Sequence, residues 1–231
     1  MSISLLLLQA QPLTQVATSL PASQNTLGLW DLAVKGGWIM IVLAVLSVIA
    51  VYIFSERYSA IYKAQKVDFN FMNQIKEYIH DDKIDAAKAL CQSKETPIAR
   101  MIEKGIQRIG RPLPDVNTAI ENVGNLEISK LEAGLPTLAT IAGGAPMLGF
   151  LGTVIGLIQA FFEMSKAGSN IEMGLLSGGI YTAMVTTVGG LFVGIFAYFG
   201  YNILVAKVEK VVFNMERNTT EFMDLLNEPV D

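Results

Sequence analysis

Two long segments of this chain carry no charged residue, and this feature constrains its fold more than any other. Residues 133–162 are uncharged over 30 positions and residues 173–206 over 34. A helix needs about 20 apolar residues to cross the hydrocarbon core of a bilayer. A third uncharged segment, residues 36–55, contains the sequence WIMIVLAVLSVIAVYIF. The sequence therefore predicts an all-α membrane protein with three transmembrane helices.

The distribution of basic residues predicts the orientation of these helices. Twelve of the 17 Lys and Arg residues lie between Ser55 and Ala133, whereas the predicted outer segments contain only Lys35 and Lys166. Because basic residues are enriched in cytoplasmic loops, the N-terminus is expected outside and the C-terminus inside. The middle segment also carries twelve acidic residues. This balance is typical of a soluble helical region and not of a polybasic lipid-binding tail.

These patterns divide the chain into seven segments. The predicted ranges are an outer N-terminal segment 1–35, a first transmembrane helix 36–55, a cytoplasmic helical segment 56–133, a second transmembrane helix 134–162, an outer turn 163–172, a third transmembrane helix 173–206 and a cytoplasmic C-terminal helix 207–231. Residues 1–29 lack the basic flank and long apolar core of a signal peptide, so we expect them to be retained. They are expected to form either a short interfacial segment or disordered chain.

Local signals predict where helices begin and end. Thr96 followed by Pro97 is typical of an N-cap and a first helical turn. The helix over residues 98–109 is expected to form one apolar face with Ile98, Met101, Ile102 and Ile109.

The following helices are expected to be long. One begins near Pro114 and is predicted to run directly into the second transmembrane helix, with a kink at Pro136 or Pro146. The third transmembrane helix is expected to continue into the cytoplasm as an amphipathic helix to residue 226.

The composition disfavours an enzyme, a metal site and a nucleic-acid-binding protein. The chain has one cysteine, Cys91, and one histidine, His80, so a Cys/His or Ser/His/Asp arrangement has little support. The net charge of −4 argues against nonspecific nucleic-acid binding, which requires a basic face. We expect no enzyme activity, no catalytic residues, no cofactor and no bound metal. Three spans without an internal repeat also disfavour a secondary transporter.

Small residues recur at helical spacing in the second and third uncharged segments. Gly152 and Gly156 are four positions apart, and so are Gly190 and Gly194. Small residues at this spacing let two membrane helices approach closely. The four glycines are therefore predicted to mediate helix packing, either within one chain or between subunits.

Threonines in the same segments are candidates for a polar pathway. Thr182 and Thr186 share a helix face, Thr187 lies about 100° round from it, and Thr153 belongs to the neighbouring span. A membrane threonine can simply bond back to its own helix, but four of them predict a partly hydrated pathway. The uncharged segments contain no Asp, Glu, Lys or His. A titrating group for ion or proton movement would therefore have to belong to another polypeptide.

Two motifs resemble those of the ExbB/TolQ/MotA proton-channel family, and of ExbB in particular. APMLGFLGTVIGLIQAF at 145–161 is similar to the second-span motif, and GGIYTAMVTTVGGLFVGIFAYFGYN at 178–202 to the third. The resemblance covers about 30–226 and includes the KGGWIM sequence that precedes the first span. The polar pore positions of the family correspond to Thr153 and Thr187. The third-span glutamate of the family corresponds to Thr182.

The resemblance implies an architecture and a function. It implies a pentamer in the bacterial inner membrane, with long cytoplasmic helical extensions, a periplasmic N-terminus and a cytoplasmic C-terminus. Its pore would enclose a single-span partner of ExbD/TolR type that carries a membrane aspartate. Proton flow would then energise TonB-dependent outer-membrane transport through a TonB-type protein. The alternatives are a TolQ-like subunit for envelope maintenance, a MotA-like motility stator and a non-conducting membrane scaffold.

Overall fold

A computed structural model describes residues 36–65, 70–167 and 173–227. These residues form seven α-helices: α1 (Trp38–Ala64), α2 (Phe71–His80), α3 (Ile84–Ser93), α4 (Pro97–Ile106), α5 (Leu113–Glu132), α6 (Leu135–Ala167) and α7 (Met173–Asn227). The predicted N-terminal segment 1–35 lies outside the described residues, as do residues 168–172 of the predicted outer turn.

Three helical stretches are long and apolar enough to cross a membrane. The most apolar 18-residue window has a mean hydropathy of 2.6 within Trp38–Ala64, and of 1.8 within each of Leu113–Lys166 and Leu176–Asn227. The described part of the chain is thus that of an all-α, multi-pass membrane protein.

The longest helices form the centre of the molecule. The most extensive pairing is between α6 and α7, and α1 packs beside both of them. The short helices α2, α3 and α4 form a chain of contacts that lies against α5 and the C-terminal half of α7. The 55 residues of α7 therefore connect the predicted membrane region to the predicted cytoplasmic region.

The signals around α4 are mostly confirmed. The Thr96 hydroxyl accepts a hydrogen bond from the Ala99 amide at 3.3 Å, and Pro97 occupies the first turn. Ile98, Met101 and Ile102 are buried as expected. The predicted face was wrong at its end, because α4 stops at Ile106 and a turn with Gly110 at φ +88° follows. Ile109 consequently lies beyond the helix and is 37% exposed.

The predicted uninterrupted helix from residue 114 into the second span is wrong. Helix α5 ends at Glu132, Ala133 is extended with ψ 131°, and Gly134 has φ +82°. A glycine tolerates this left-handed backbone conformation because it has no Cβ. Pro136 then lies in the first turn of α6, where its missing amide proton costs nothing, and Pro146 lies inside that helix.

The predicted continuation of the third span is confirmed. Helix α7 runs without a break from Met173 to Asn227. Its C-terminal half buries Leu204, Val208, Val211, Met215, Phe222 and Leu225. These positions are three, four or seven residues apart and therefore form one apolar face, as an amphipathic helix requires.

Candidate functional site

The crossing of α6 and α7 brings the two backbones almost into contact. A Cβ atom at Gly149 would lie 2.8 Å from the Thr186 carbonyl oxygen and 3.1 Å from the Gly190 Cα. A Cβ at Gly190 would lie 2.5 Å from the Ala145 carbonyl oxygen. No side chain fits at either position without moving a helix, so glycine is required at both.

The four glycines singled out from their spacing all lie at this crossing. A Cβ at Gly152 would be 2.5 Å from the Thr186 hydroxyl oxygen, and a Cβ at Gly156 would be 3.0 Å from the Ala183 Cβ. On the other helix, Gly190 faces Ala145 and Gly194 faces Pro146, each at 2.5 Å. All of these neighbours belong to the same chain, so in this structure the close contact is between α6 and α7 of one molecule.

Gly149 is a residue of the crossing that spacing alone did not identify. Besides its contact with Gly190, its carbonyl oxygen lies 3.3 Å from the hydroxyls of both Thr153 and Thr187. The available signal was its position three residues before Gly152, on the same side of the helix. The pattern of glycines four apart does not include that position.

Thr153 and Thr187 form a hydrogen-bonded pair across the crossing. Their hydroxyl oxygens bond to each other, and the Thr153 hydroxyl also lies 3.3 Å from the Ala183 carbonyl oxygen. Each hydroxyl has one proton to donate, so the carbonyls of Gly149 and Ala183 are alternative acceptors. Both threonines are half-buried. The pair is thus a compact polar cluster at the edge of the contact between the helices.

Thr186 has a different environment from this pair. It is 1% exposed, donates a hydrogen bond to the Ala183 carbonyl at 2.7 Å and lies beneath Gly152. The sequence placed Thr186 among the pore-lining candidates, but here its hydroxyl is bonded to its own helix and reaches no surface. Because its hydroxyl is satisfied by its own helix, Thr186 contributes to the crossing as a buried packing residue.

Thr182 is separated from the Thr153–Thr187 pair. Five residues of helix place Thr182 about 140° round α7 from Thr187. Gly189 is two turns further along and lies on the same side of α7 as Thr182. It faces Met40 of α1, because a Cβ atom at Gly189 would lie 3.1 Å from the Met40 sulfur. Half-buried Thr182 therefore lies on the α1 side of α7, whereas the pair lies on the α6 side.

The α6/α7 crossing contains no charged side chain among the described residues. At the C-terminal end of α6, Glu163 and Lys166 are 3.8 Å apart and both are exposed. No group of three or more His, Cys, Asp and Glu residues that could hold a metal occurs in the described ranges. The chemistry of the crossing is accordingly that of hydroxyls and carbonyls.

One carboxylate of the described residues is buried, and it belongs to α5. Glu127 is 4% exposed and accepts hydrogen bonds from Arg100 and Lys130, each at 2.7 Å. Burial acts to raise the pKa of this carboxyl, but the bonds from Lys130 and Arg100 outweigh it and hold the pKa below the ordinary value. Arg57 of α1 donates to the Lys130 carbonyl at 3.0 Å. This network joins α1, α4 and α5 just before the Gly134 turn.

Comparison with known proteins identifies the family. The model of the MotA/TolQ/ExbB proton channel family matches residues 93–217, more than half of the chain. A putative biopolymer transport protein ExbB homolog of Methanothermobacter thermautotrophicus is 33% identical over 53% of this chain and 43% of its own length.

Two further relatives agree with this assignment. A putative biopolymer transport protein ExbB-like 1 of Synechocystis sp. is 29% identical over 77% of this chain and 71% of its own length. The Tol-Pal system protein TolQ of Haemophilus influenzae is 35% identical over 45% of each chain. The chain thus spans less than half the length of two of these three relatives. With the three apolar helices and the family match over α4 to α7, the chain belongs to the MotA/TolQ/ExbB proton channel family.

Proposed function

We propose that this chain is an ExbB-like proton-channel and motor subunit of the bacterial inner membrane. With a single-span partner of ExbD type, it would use the proton-motive force to energise TonB-dependent outer-membrane transport. The observation that carries this proposal is the Thr153–Thr187 hydroxyl pair at a glycine-packed crossing, within segments that contain no titratable Asp, Glu, Lys or His.

The proposed mechanism divides the work between this chain and its partner. Hydroxyls can order water and accept hydrogen bonds, but they do not titrate near neutral pH. An ionisable group survives in a bilayer only where water or a partner group reaches it. The Thr153 and Thr187 hydroxyls would solvate the partner's membrane aspartate when it is charged. Proton binding and release would then occur on the partner's carboxylate.

We assign the other two threonines to different roles. Thr186, being buried, would serve the packing of α6 on α7. Thr182 corresponds to the third-span glutamate of the family and lies towards α1. It would influence the pathway from the opposite flank of α7, without carrying a proton.

The proposed assembly is a cyclic homo-oligomer, and specifically a pentamer that encloses the partner's span. Its N-terminus would lie in the periplasm and its C-terminus in the cytoplasm, because the basic residues concentrate between Ser55 and Ala133. Large apolar side chains remain exposed on the spans, among them Phe150, Phe161, Val188 and Phe192. These surfaces are available for lipid or for neighbouring subunits.

A second candidate is a TolQ-like subunit that serves envelope maintenance. The 35% identity to the Haemophilus influenzae TolQ protein favours it specifically. The same partner chemistry would apply, because only the protein that receives the motion would differ.

Purification from native membranes tests the proposal. The chain should co-elute with a short single-span protein that has an aspartate in its span, and the mass of the complex should correspond to five copies of this chain. A partner linked to a TonB-type protein supports the first candidate, and one linked to Tol-Pal proteins supports the second. A stable monomer without such a partner would contradict both and favour a scaffold or another role.

A further inference from the structure

An apolar groove of about 490 Å³ runs between α1 and α7. Its walls include Val51 and Phe54 on α1 and Phe192, Phe196 and Ile203 on α7. All of these positions lie inside the uncharged segments 36–55 and 173–206. The side chains of Val51, Phe192 and Phe196 are 65–66% exposed, so the groove is open along its side to the surrounding medium.

The groove ends at a cation. The ring of Phe54 lies 5.8 Å from that of Tyr58, one turn further along α1. The Lys207 ammonium lies 4.8 Å from the centre of the Tyr58 ring. Lys207 is one turn beyond Ile203 and is the first charged residue after the third uncharged segment. The contacts from Phe54 to Tyr58 and from Tyr58 to Lys207 therefore connect the apolar walls of the groove to the lysine.

The Lys207 charge is not neutralised within the described residues. Of the carboxylates near this level, Glu56 pairs with Arg57 at 2.7 Å, and none in the described ranges lies within ion-pair distance of Lys207. Lys207 is a half-buried residue, and an unneutralised ammonium at the end of an apolar groove favours an anion.

From this arrangement we propose that the groove binds one phospholipid of the cytoplasmic leaflet. An acyl chain lies along the walls, and the anionic headgroup contacts Lys207. A phospholipid matches both parts of this site, because its acyl chain fits the apolar walls and its phosphate pairs with the Lys207 ammonium. Only the assignment to the cytoplasmic leaflet rests on the orientation proposed above.

Mass spectrometry of the intact detergent-extracted complex tests this inference, with added phosphatidylglycerol or phosphatidylcholine of the same acyl chains. One lysine near a membrane surface is worth about a fivefold preference for an anionic lipid, so phosphatidylglycerol adducts should exceed phosphatidylcholine adducts by about this factor. Lys207→Gln should remove the preference. The matched control Lys210→Gln, on an exposed position of the same helix, should retain it.

A second pair of variants tests the groove itself. Val51→Trp should fill it and reduce lipid adducts with either headgroup, whereas Val48→Trp, at a 69% exposed position that does not line the groove, should not. Elution volume and helical content identify a variant that has failed to fold, in which case the lysine pair decides.

Three results would overturn the inference. Equal binding of the two lipids, or a preference that survives Lys207→Gln, would exclude headgroup recognition at this site. Loss of the oligomer in Val51→Trp, with wild-type lipid binding weak, would identify the groove as a contact between subunits. Because lipid binding is measured without proton flow or a partner protein, its failure would leave the proposed function standing.

Discussion

The α6/α7 crossing and the predicted cytoplasmic region, which comprises α2 to α5 and the C-terminal half of α7, bury opposite kinds of side chain. At the crossing the buried residues are small and include Ala145, Ala160, Ala183 and Thr186. In the predicted cytoplasmic region they are large and include Ile75, Ile102, Ile120, Met215 and Phe222. The exposed surfaces are reversed as well, because the spans present Phe150, Phe161, Phe192 and Phe196 outwards.

The surrounding medium explains this difference. In water, large apolar side chains gain most from burial, so they fill the core. Lipid tails are as apolar as leucine or phenylalanine, so a membrane helix gains little by turning these side chains inwards. Contact between membrane helices instead depends on close backbone approach, which only small residues allow. The same chain therefore follows two packing rules, and each rule makes its own predictions.

The largest expected effect is that of one methyl group at the crossing. Gly190→Ala places a Cβ 2.5 Å from the Ala145 carbonyl oxygen, and a backbone atom cannot move aside as a side chain can. We expect a loss of about 3 kcal/mol in stability and a large fall in the unfolding temperature in detergent. Gly143→Ala is the matched control, because nothing lies within 4 Å of its Cβ position. Equal unfolding temperatures for the two variants would break the proposed packing rule.

The next effect separates function from packing at the same crossing. Combining Thr153→Val with Thr187→Val replaces both hydroxyls by methyl groups of similar shape, which is close to neutral for stability. Proton flux with the partner should nevertheless fall about tenfold or more, which corresponds to about 1.4 kcal/mol at the limiting step. Vesicle acidification measures it. The control is Thr140→Val, whose exposed hydroxyl bonds to the Pro136 carbonyl at 2.8 Å. Full flux in the double variant would remove these hydroxyls from the pathway.

Thr182 provides a finer test of the site. Because Thr182 lies on the α1 side of α7, Thr182→Val is expected to lower the flux less than Thr187→Val does. Flux from vesicles of matched protein content gives the order. A greater loss at Thr182 would mean that the α1 side of α7 faces the pathway.

In the predicted cytoplasmic region we expect Glu127 to have a smaller effect on stability, and this effect depends on pH. The pKa of Glu127 is held below its ordinary value of 4.5, so the unfolded chain binds this proton more tightly than the folded chain. The stabilisation is present above that ordinary value and is lost as the pH falls through the lowered pKa. Glu127→Gln should cost about 2 kcal/mol near neutral pH.

The pH profile of unfolding checks this prediction. Between about pH 6 and about pH 3, Glu127→Gln should flatten the decline in stability that the wild-type protein shows. Exposed Glu121→Gln is the control and should leave the decline in place. A wild-type profile in Glu127→Gln would mean that the ion pairs with Arg100 and Lys130 do not stabilise this region.

The smallest structural effect concerns Cys91, which is 1% exposed in the core of the predicted cytoplasmic region. Burial, with a contribution from Glu103, raises the pKa of its thiol to about 12. A thiol with this pKa has roughly a thousandfold less thiolate at neutral pH than a free cysteine. Maleimide labelling should therefore be far slower than at an exposed cysteine introduced by Ser93→Cys in a Cys91→Ala background. Similar labelling rates would show that this core opens readily.

The parts of the structure that depend on one helix at a time were predictable from the sequence. The length of the uncharged segments indicated the membrane helices. Thr96 and Pro97 indicated the start of α4, and the spacing of apolar residues after Ala206 indicated the continuation of α7. Each of these signals is local, because capping, helix propensity and amphipathic spacing act within a few turns.

The parts that depend on two helices were less predictable. Periodicity places Thr182 and Thr186 on one face but does not tell which neighbouring helix covers it. The burial of Thr186, the displacement of Thr182 towards α1 and the contacts of Gly149 follow from the crossing itself. The break at Gly134 was not predicted either, because proline is the strongest sequence signal for a kink, and both Pro136 and Pro146 lie nearby.

Proton flux in reconstituted vesicles tests the central claim most directly, namely that this chain supplies a hydroxyl-lined path and its partner supplies the titrating group. Acidification is measured with the full chain alone and with the chain plus its co-purified single-span partner. We predict negligible flux for the chain alone and partner-dependent flux that is lost when the aspartate in the partner's span is replaced by asparagine. Fast, saturable flux through the chain alone would show that the relay is complete without a partner and would contradict the account.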